Sequence, residues 1–205
     1  MIKPNSNEKE LRQFNTPKIE LRSADGQPTK IIGYAVEWDK LSDPIWGYFR
    51  EKFTKGAFAK VLGGDIRALW QHIMGQPLGR TVNNTLALEE DNIGLRYEII
   101  PPDTTWGKDA VESIRRGDVT NSSFSFSATK QEWDDSDPQM SIRTVVEAEL
   151  YEVSPITFAA YPQSSAGVRS AQDIFESHVA ERKAAADKKP DYSIRRKKLD
   201  LVSKI

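Results

Sequence analysis

The sequence predicts a mainly β protein with a few short peripheral helices, an α+β fold built as a small barrel or sandwich. Three observations carry this. Short β-branched and aromatic runs are spaced by Gly, Pro, Asn and Asp turns. Only two interior segments have helical spacing. No strand–helix alternation of the kind that builds a parallel sheet is present. At 205 residues, 38% apolar and 29% charged, the chain is long enough for one cored domain with solvated extensions.

Taken in order, residues 1–17 are mostly polar and are expected to form a loose arm. A body is expected over residues 18–169. Ile19–Leu21 and Ile31–Trp38 flank Ala24-Asp25-Gly26-Gln27-Pro28, which reads as a hairpin turn. Phe58, Val61 and Leu62 have helical spacing and meet a stop at Gly63-Gly64. Further strands are expected over Ile66–Trp70, Thr85–Leu88 and Leu95–Ile100. A helix follows over Thr105–Arg116, capped by Asp103 or Thr104, with Trp106, Ala110, Val111 and Ile114 as its buried stripe and Gly117 as its end. Strands then return over Ser123–Ala128 and Ile142–Val153. Residues 170–205 form a tail: Ser170 and Asp173 resemble a capping box, and Ile174, Phe175, His178 and Val179 make a narrow apolar stripe. Beyond it, Ala184-Ala185-Ala186 and Arg195-Arg196-Lys197-Lys198 read as solvated.

Composition excludes several chemistries. There are no cysteines, hence no disulfide, thiol nucleophile or thiolate-bound metal. Two histidines without an HExxH spacing do not suggest a zinc hydrolase. Neither a phosphate loop nor a dinucleotide fingerprint occurs, so no cofactor is expected. A net charge of −1 argues against a nucleic-acid or anionic-membrane partner. No apolar run approaches the ~20 residues that span a bilayer, and the start carries no apolar signal core. A soluble, cytosolic protein is expected.

What remains is Ser, His and carboxylate chemistry. In Ser122-Ser123-Phe124-Ser125-Phe126-Ser127, strand alternation turns Phe124 and Phe126 to the core and Ser123, Ser125 and Ser127 outward. Alone, this is an ordinary half-buried strand. A nucleophilic serine needs a base within reach, and His72 closes a strand just before a Gly/Pro-containing loop, a common place for functional side chains. His178, in the tail helix, is the weaker candidate. A third group would orient the imidazole. Alternation puts Val146, Ala148 and Leu150 on one face of the last strand and Glu147 and Glu149 on the other, and periodicity does not choose between the two acids.

Several blocks, in order over residues 31–166, resemble the prohead protease family of tailed phages, which is related to the herpesvirus capsid-maturation protease, assemblin. They are Gly33-Tyr34-Ala35-Val36; Phe49-Arg50-Glu51 to Gly56-Ala57-Phe58; Arg67 to His72; Leu78-Gly79-Arg80-Thr81; Gly94-Leu95-Arg96; Pro102-Asp103-Thr104; Ile114 to Val119; Ser123-Phe124-Ser125-Phe126; and Leu150 to Pro155, ending at Ala160-Tyr161-Pro162. The resemblance implies an assemblin-like closed β-barrel surrounded by short helices, His72 as general base and Ser123 as nucleophile. Aligning the last strand's apolar pattern places Glu147 at the third catalytic position, with Glu149 in reserve. The family's residues around the serine are replaced here by Asn121, Ser122 and Ser125, so Ser122 and Ser125 stay open as neighbours of the nucleophile. No paired arginine follows the last strand to hold an oxyanion.

The implied activity is that of a serine endopeptidase acting in the host cytoplasm, inside the assembling prohead. Its implied partners are the scaffold, or the scaffold-like segment of the major capsid protein. Autocleavage after Ala166 is expected, and a homo-oligomer is left open. The alternative from another class is a non-catalytic capsid-assembly scaffold module that keeps the barrel and docks through the tail helix.

Overall fold

The structure is a computed structural model that describes residues 9–14, 16, 18–157 and 165–187. Its elements are β1 (Glu10–Gln13), β2 (Glu20–Arg22), β3 (Lys30–Glu37), β4 (Phe49–Phe53), β5 (Arg67–Trp70), β6 (Ile73–Arg80), a single 3-10 turn (Thr81–Asn83), β7 (Leu86–Glu90), β8 (Gly94–Ile99), α1 (Thr105–Arg116), β9 (Asn121–Asp134), β10 (Ser141–Ile156) and α2 (Ser165–Asp187).

Two sheets result. A four-stranded sheet has the order β2-β3-β8-β7 and is antiparallel throughout. A six-stranded sheet runs β1-β9-β10-β5-β6, with β4 on the first half of β10. The long β10 is antiparallel to β9 but parallel to β4 and β5, which take its two halves in turn. The expected closed barrel is not found: among the described residues the ladders end at separate edges, β1 and β6 in one sheet and β2 and β7 in the other. Two faces, each with its own apolar stripe, meet across one core, which removes the need to close a single ladder. Ile31, Val36, Leu95 and Ile99 from one side pack with Phe53, Phe124, Phe126 and Val153 from the other.

A glycine on β3 makes room for a ring from the neighbouring strand β8 that reaches the other layer. A Cβ on Gly33 would lie 2.4 Å from the Tyr97 hydroxyl, so only glycine there admits that ring. The Tyr97 hydroxyl shares a 2.7 Å hydrogen bond with Ser122 in the core, and burial pushes its pKa well above the ordinary tyrosine value.

The helix over Thr105–Arg116 has the expected limits: the Thr104 side chain accepts from the Gly107 N–H, and Gly117 ends it with φ 81°. Three expectations change. Residues around Phe58–Leu62 form consecutive turns, not a helix, because Gly56, Gly63 and Gly64 leave too short a run for nucleation. The Gly/Pro-containing stretch after His72 is strand β6, an edge strand, where Pro77 is tolerated. Within the arm, Glu10–Gln13 pair with β9. The basic run Arg195–Lys198 and the block Ala160-Tyr161-Pro162 lie outside the described residues. Among the described residues, no helix is long and apolar enough to cross a membrane.

Candidate active site

Trp70 pairs with Ile73, so Gln71 and His72 alone form the loop between β5 and β6. Both have left-handed backbones, φ 54° and 61°, the signature of a type I′ hairpin turn. Such turns favour Asn and Gly, and other residues there cost of order 1 kcal/mol each. The surroundings hold the strain. The Gln71 N–H donates to the Pro155 carbonyl at 3.2 Å. Its side chain makes a reciprocal pair with Thr157, donating from Nε2 to Oγ1 at 2.6 Å and accepting from the Thr157 N–H at 3.1 Å. Strand β10 thereby fixes where the His72 ring sits.

His72 Nδ1 lies 2.7 Å from Glu152 Oε1. An ionised carboxylate only accepts, so Nδ1 donates, and in the neutral ring Nε2 carries the lone pair. Nε2 is buried and has no hydrogen-bond partner. The other carboxylate oxygen of Glu152 accepts from Ser154 Oγ at 2.5 Å. Ser154 is directly opposite Ser123 in the β9–β10 ladder. The chain of contacts therefore runs from His72 through Glu152 and Ser154 to the strand position beside Ser123, on the face of the sheet away from the phenylalanines.

Glu152, not Glu147, is the acid bonded to His72. The Glu147 carboxylate bonds Lys60 Nζ at 2.6 Å, and this pairing lowers its pKa. Strict alternation misplaced these residues because the β9–β10 ladder is irregular. Register shifts fall between Val145 and Glu147, between Glu147 and Ala148, and between Leu150 and Glu152. The first two together, and then the third, invert the alternation along β10. Val145 rather than Val146 enters the core, and beyond the third shift Val153 turns inward while Glu152 turns to His72. Glu149 is exposed. One signal was available in the sequence: Glu152 is a lone acid in the apolar run Leu150–Ile156, where a buried carboxylate needs a partner.

The serines separate cleanly. Ser122 faces the core on Tyr97. Ser123 is fully buried, and its Oγ donates to the Arg12 carbonyl at 3.0 Å. Ser125 and Ser127 share its face and are also buried, so that face is covered rather than open to solvent as alternation suggested. His178 lies elsewhere, stacked 4.1 Å from Trp133 and bonded to Asp135 at 3.0 Å. Among the described residues, no group of three or more His, Cys, Asp or Glu is placed to hold a metal.

The model of the family described as Caudovirus prohead serine protease matches residues 17–177. The chain belongs to this family. It is similar to a solved structure of the bacteriophage T4 capsid assembly protease, with 14% identity, 73% of this chain and 99% of that chain covered, and a TM-score of 0.41. No curated protein matches it significantly. Membership supports a phage capsid-maturation protease. The matched span takes in His72, Ser123 and Glu152 but not the Glu10–Gln13 strand.

Proposed function

We propose that the chain is a serine endopeptidase in which Ser123 is the nucleophile, His72 the general base and Glu152, in place of Glu147, the orienting acid. The observation that carries this reading is the buried, unpartnered Nε2 of a histidine whose other nitrogen is fixed by a carboxylate. A structural histidine gains nothing from an empty buried nitrogen, whereas a general base requires one. The same point weighs against a purely scaffolding role.

The reaction is acyl transfer. Ser123 Oγ attacks the peptide carbonyl carbon, and its proton passes to His72 Nε2. Glu152 stabilises the imidazolium through Nδ1–H. His72 then gives the proton to the departing amine, and water attacks the acyl-enzyme by the same route in reverse. Before attack, the Ser123 hydroxyl must turn from the Arg12 carbonyl toward Nε2.

The substrates proposed are the scaffold or the scaffold-like segment of the major capsid protein, met inside the prohead, together with the chain's own tail after Ala166. Ala166 lies in the first turn of α2, so this cleavage requires that turn to unwind. Co-expression with the cognate capsid protein tests the proposal. Processing is expected with the wild type and absent in Ser123→Ala and His72→Ala while particles still assemble. Continued processing in Ser123→Ala contradicts it.

A further inference from the structure

Strand β1 lies along β9 with Gln13 opposite Ser123 and Arg12 opposite Phe124. Among the described residues β1 pairs with β9 alone. An extended segment of this chain thus runs antiparallel beside the serine, and one of its carbonyls, that of Arg12, takes the Ser123 hydroxyl proton at 3.0 Å. That hydrogen bond has the wrong polarity for catalysis. The proton His72 must remove is directed into a carbonyl oxygen, and Nε2 is left without a partner.

The attachment of β1 is strong but separable. Arg12 donates to Glu51 at 2.8 Å and to Glu10 at 2.5 Å. Arg143 donates to Glu10 at 2.7 and 3.0 Å and to Glu51 at 2.7 Å. All four side chains are buried. The two charges contributed by β1 cancel each other, and so do the two left behind, Glu51 and Arg143. Withdrawal of the strand therefore strands no single charge in the body, the condition that would make it prohibitive. Arg143 keeps Gln131 as a further partner at 2.6 Å. Phe14 follows immediately and stays in the core, 5.6 Å from Phe53 and 6.3 Å from Phe124, so it sets a natural limit to the movement. Gln13 Oε1 is buried without a partner, a local cost that departure would relieve.

We infer that β1 is an internal pseudosubstrate: it occupies the β9 edge beside Ser123 and holds the hydroxyl away from His72, so the chain as folded is latent and becomes active when this strand is displaced. The inference rests on Ser123 and His72 being the catalytic pair.

The test is the rate at which a fluorophosphonate probe acylates Ser123. A chain lacking residues 1–12, with its fold checked by circular dichroism and melting, should label at least about tenfold faster than the full chain. A peptide of residues 9–14 added in trans should slow it again. A second variant covers the case in which the shortened chain does not fold. Leu11 and Ser125 are direct partners in the ladder, and the chain has no cysteine, so Leu11→Cys with Ser125→Cys gives a single reversible lock. Oxidation should suppress labelling and reduction should restore it. Equal labelling of locked and reduced forms overturns the inference while leaving the protease intact. Absence of Ser123-dependent labelling in every form overturns the protease reading and this one together.

Discussion

At His72, backbone and chemistry make opposite demands. The position wants a residue at ease in the left-handed region, and catalysis wants an imidazole. Asn tolerates φ near +60° better than most residues, whereas a β-branched side chain does not. His72→Asn is therefore expected to fold with a stability within about 1 kcal/mol of the wild type, although it loses proteolysis. His72→Val should cost about 2 kcal/mol or more, combining backbone strain with an unpaired Glu152. Urea unfolding of the two variants separates the contribution of the turn from that of the base. The same residue shows how far the sequence could be read. The position of His72 at a strand end was legible from local pattern, and its proposed role as base comes from the ordered blocks. Glu152 was marked only as a lone acid in an apolar run. Its facing toward His72 was not legible, because a bulge is a property of two paired strands and leaves no mark on the periodicity of one.

Among the elements, α1 was read to its limits because its signals are local: a cap, a stripe and a terminal glycine. Strands β1, β4 and β6 escaped because their pairing is set by distant partners. Glu10 and Arg12 look like solvated charges until Glu51 and Arg143 are brought beside them. The tail helix gives a prediction of its own. Phe175 lies 5.9 Å from Tyr48 and 6.4 Å from Trp133, and His178 and Arg182 both meet Asp135. Burial tends to raise the Asp135 pKa, but hydrogen bonds from His178 and Ser141 outweigh it and the net shift is downward. The helix is thus docked on the β9–β10 end rather than free. Phe175→Ala should weaken this docking by about 1–2 kcal/mol, read as faster proteolysis and amide exchange over residues 171–187 with the sheets unaffected.

For the whole molecule, the buried four-charge cluster ties β1 to the body and makes stability depend on acid. Burial acts to raise the Glu10 pKa, but Arg12 and Arg143 together overcome it and hold the carboxyl below its ordinary 4.5. A group depressed on folding contributes stability that is complete above its unfolded pKa and lost as pH falls through the folded one. Between pH 7 and about 5 the contribution should be constant, and it should decline only below about pH 4.5. Urea unfolding across pH 3–7 checks this. In Glu10→Gln the part of the slope due to this carboxyl should vanish, and overall stability near pH 7 should fall, because two arginines lose a charged partner. The two-sheet frame itself was foreseeable as a barrel or sandwich. Choosing between them required the edges, which only the assembled ladders define.

The most direct test of the central claim compares two acids five residues apart on one strand. Glu152→Gln and Glu147→Gln would each be co-expressed with the capsid protein, and processing would be quantified by mass spectrometry. Glu152→Gln is expected to slow cleavage by about 10^3–10^4-fold, as loss of the orienting acid does in Ser-His-acid enzymes, while Glu147→Gln stays near the wild-type rate. Normal cleavage by Glu152→Gln, or its loss in Glu147→Gln alone, would contradict the proposed site.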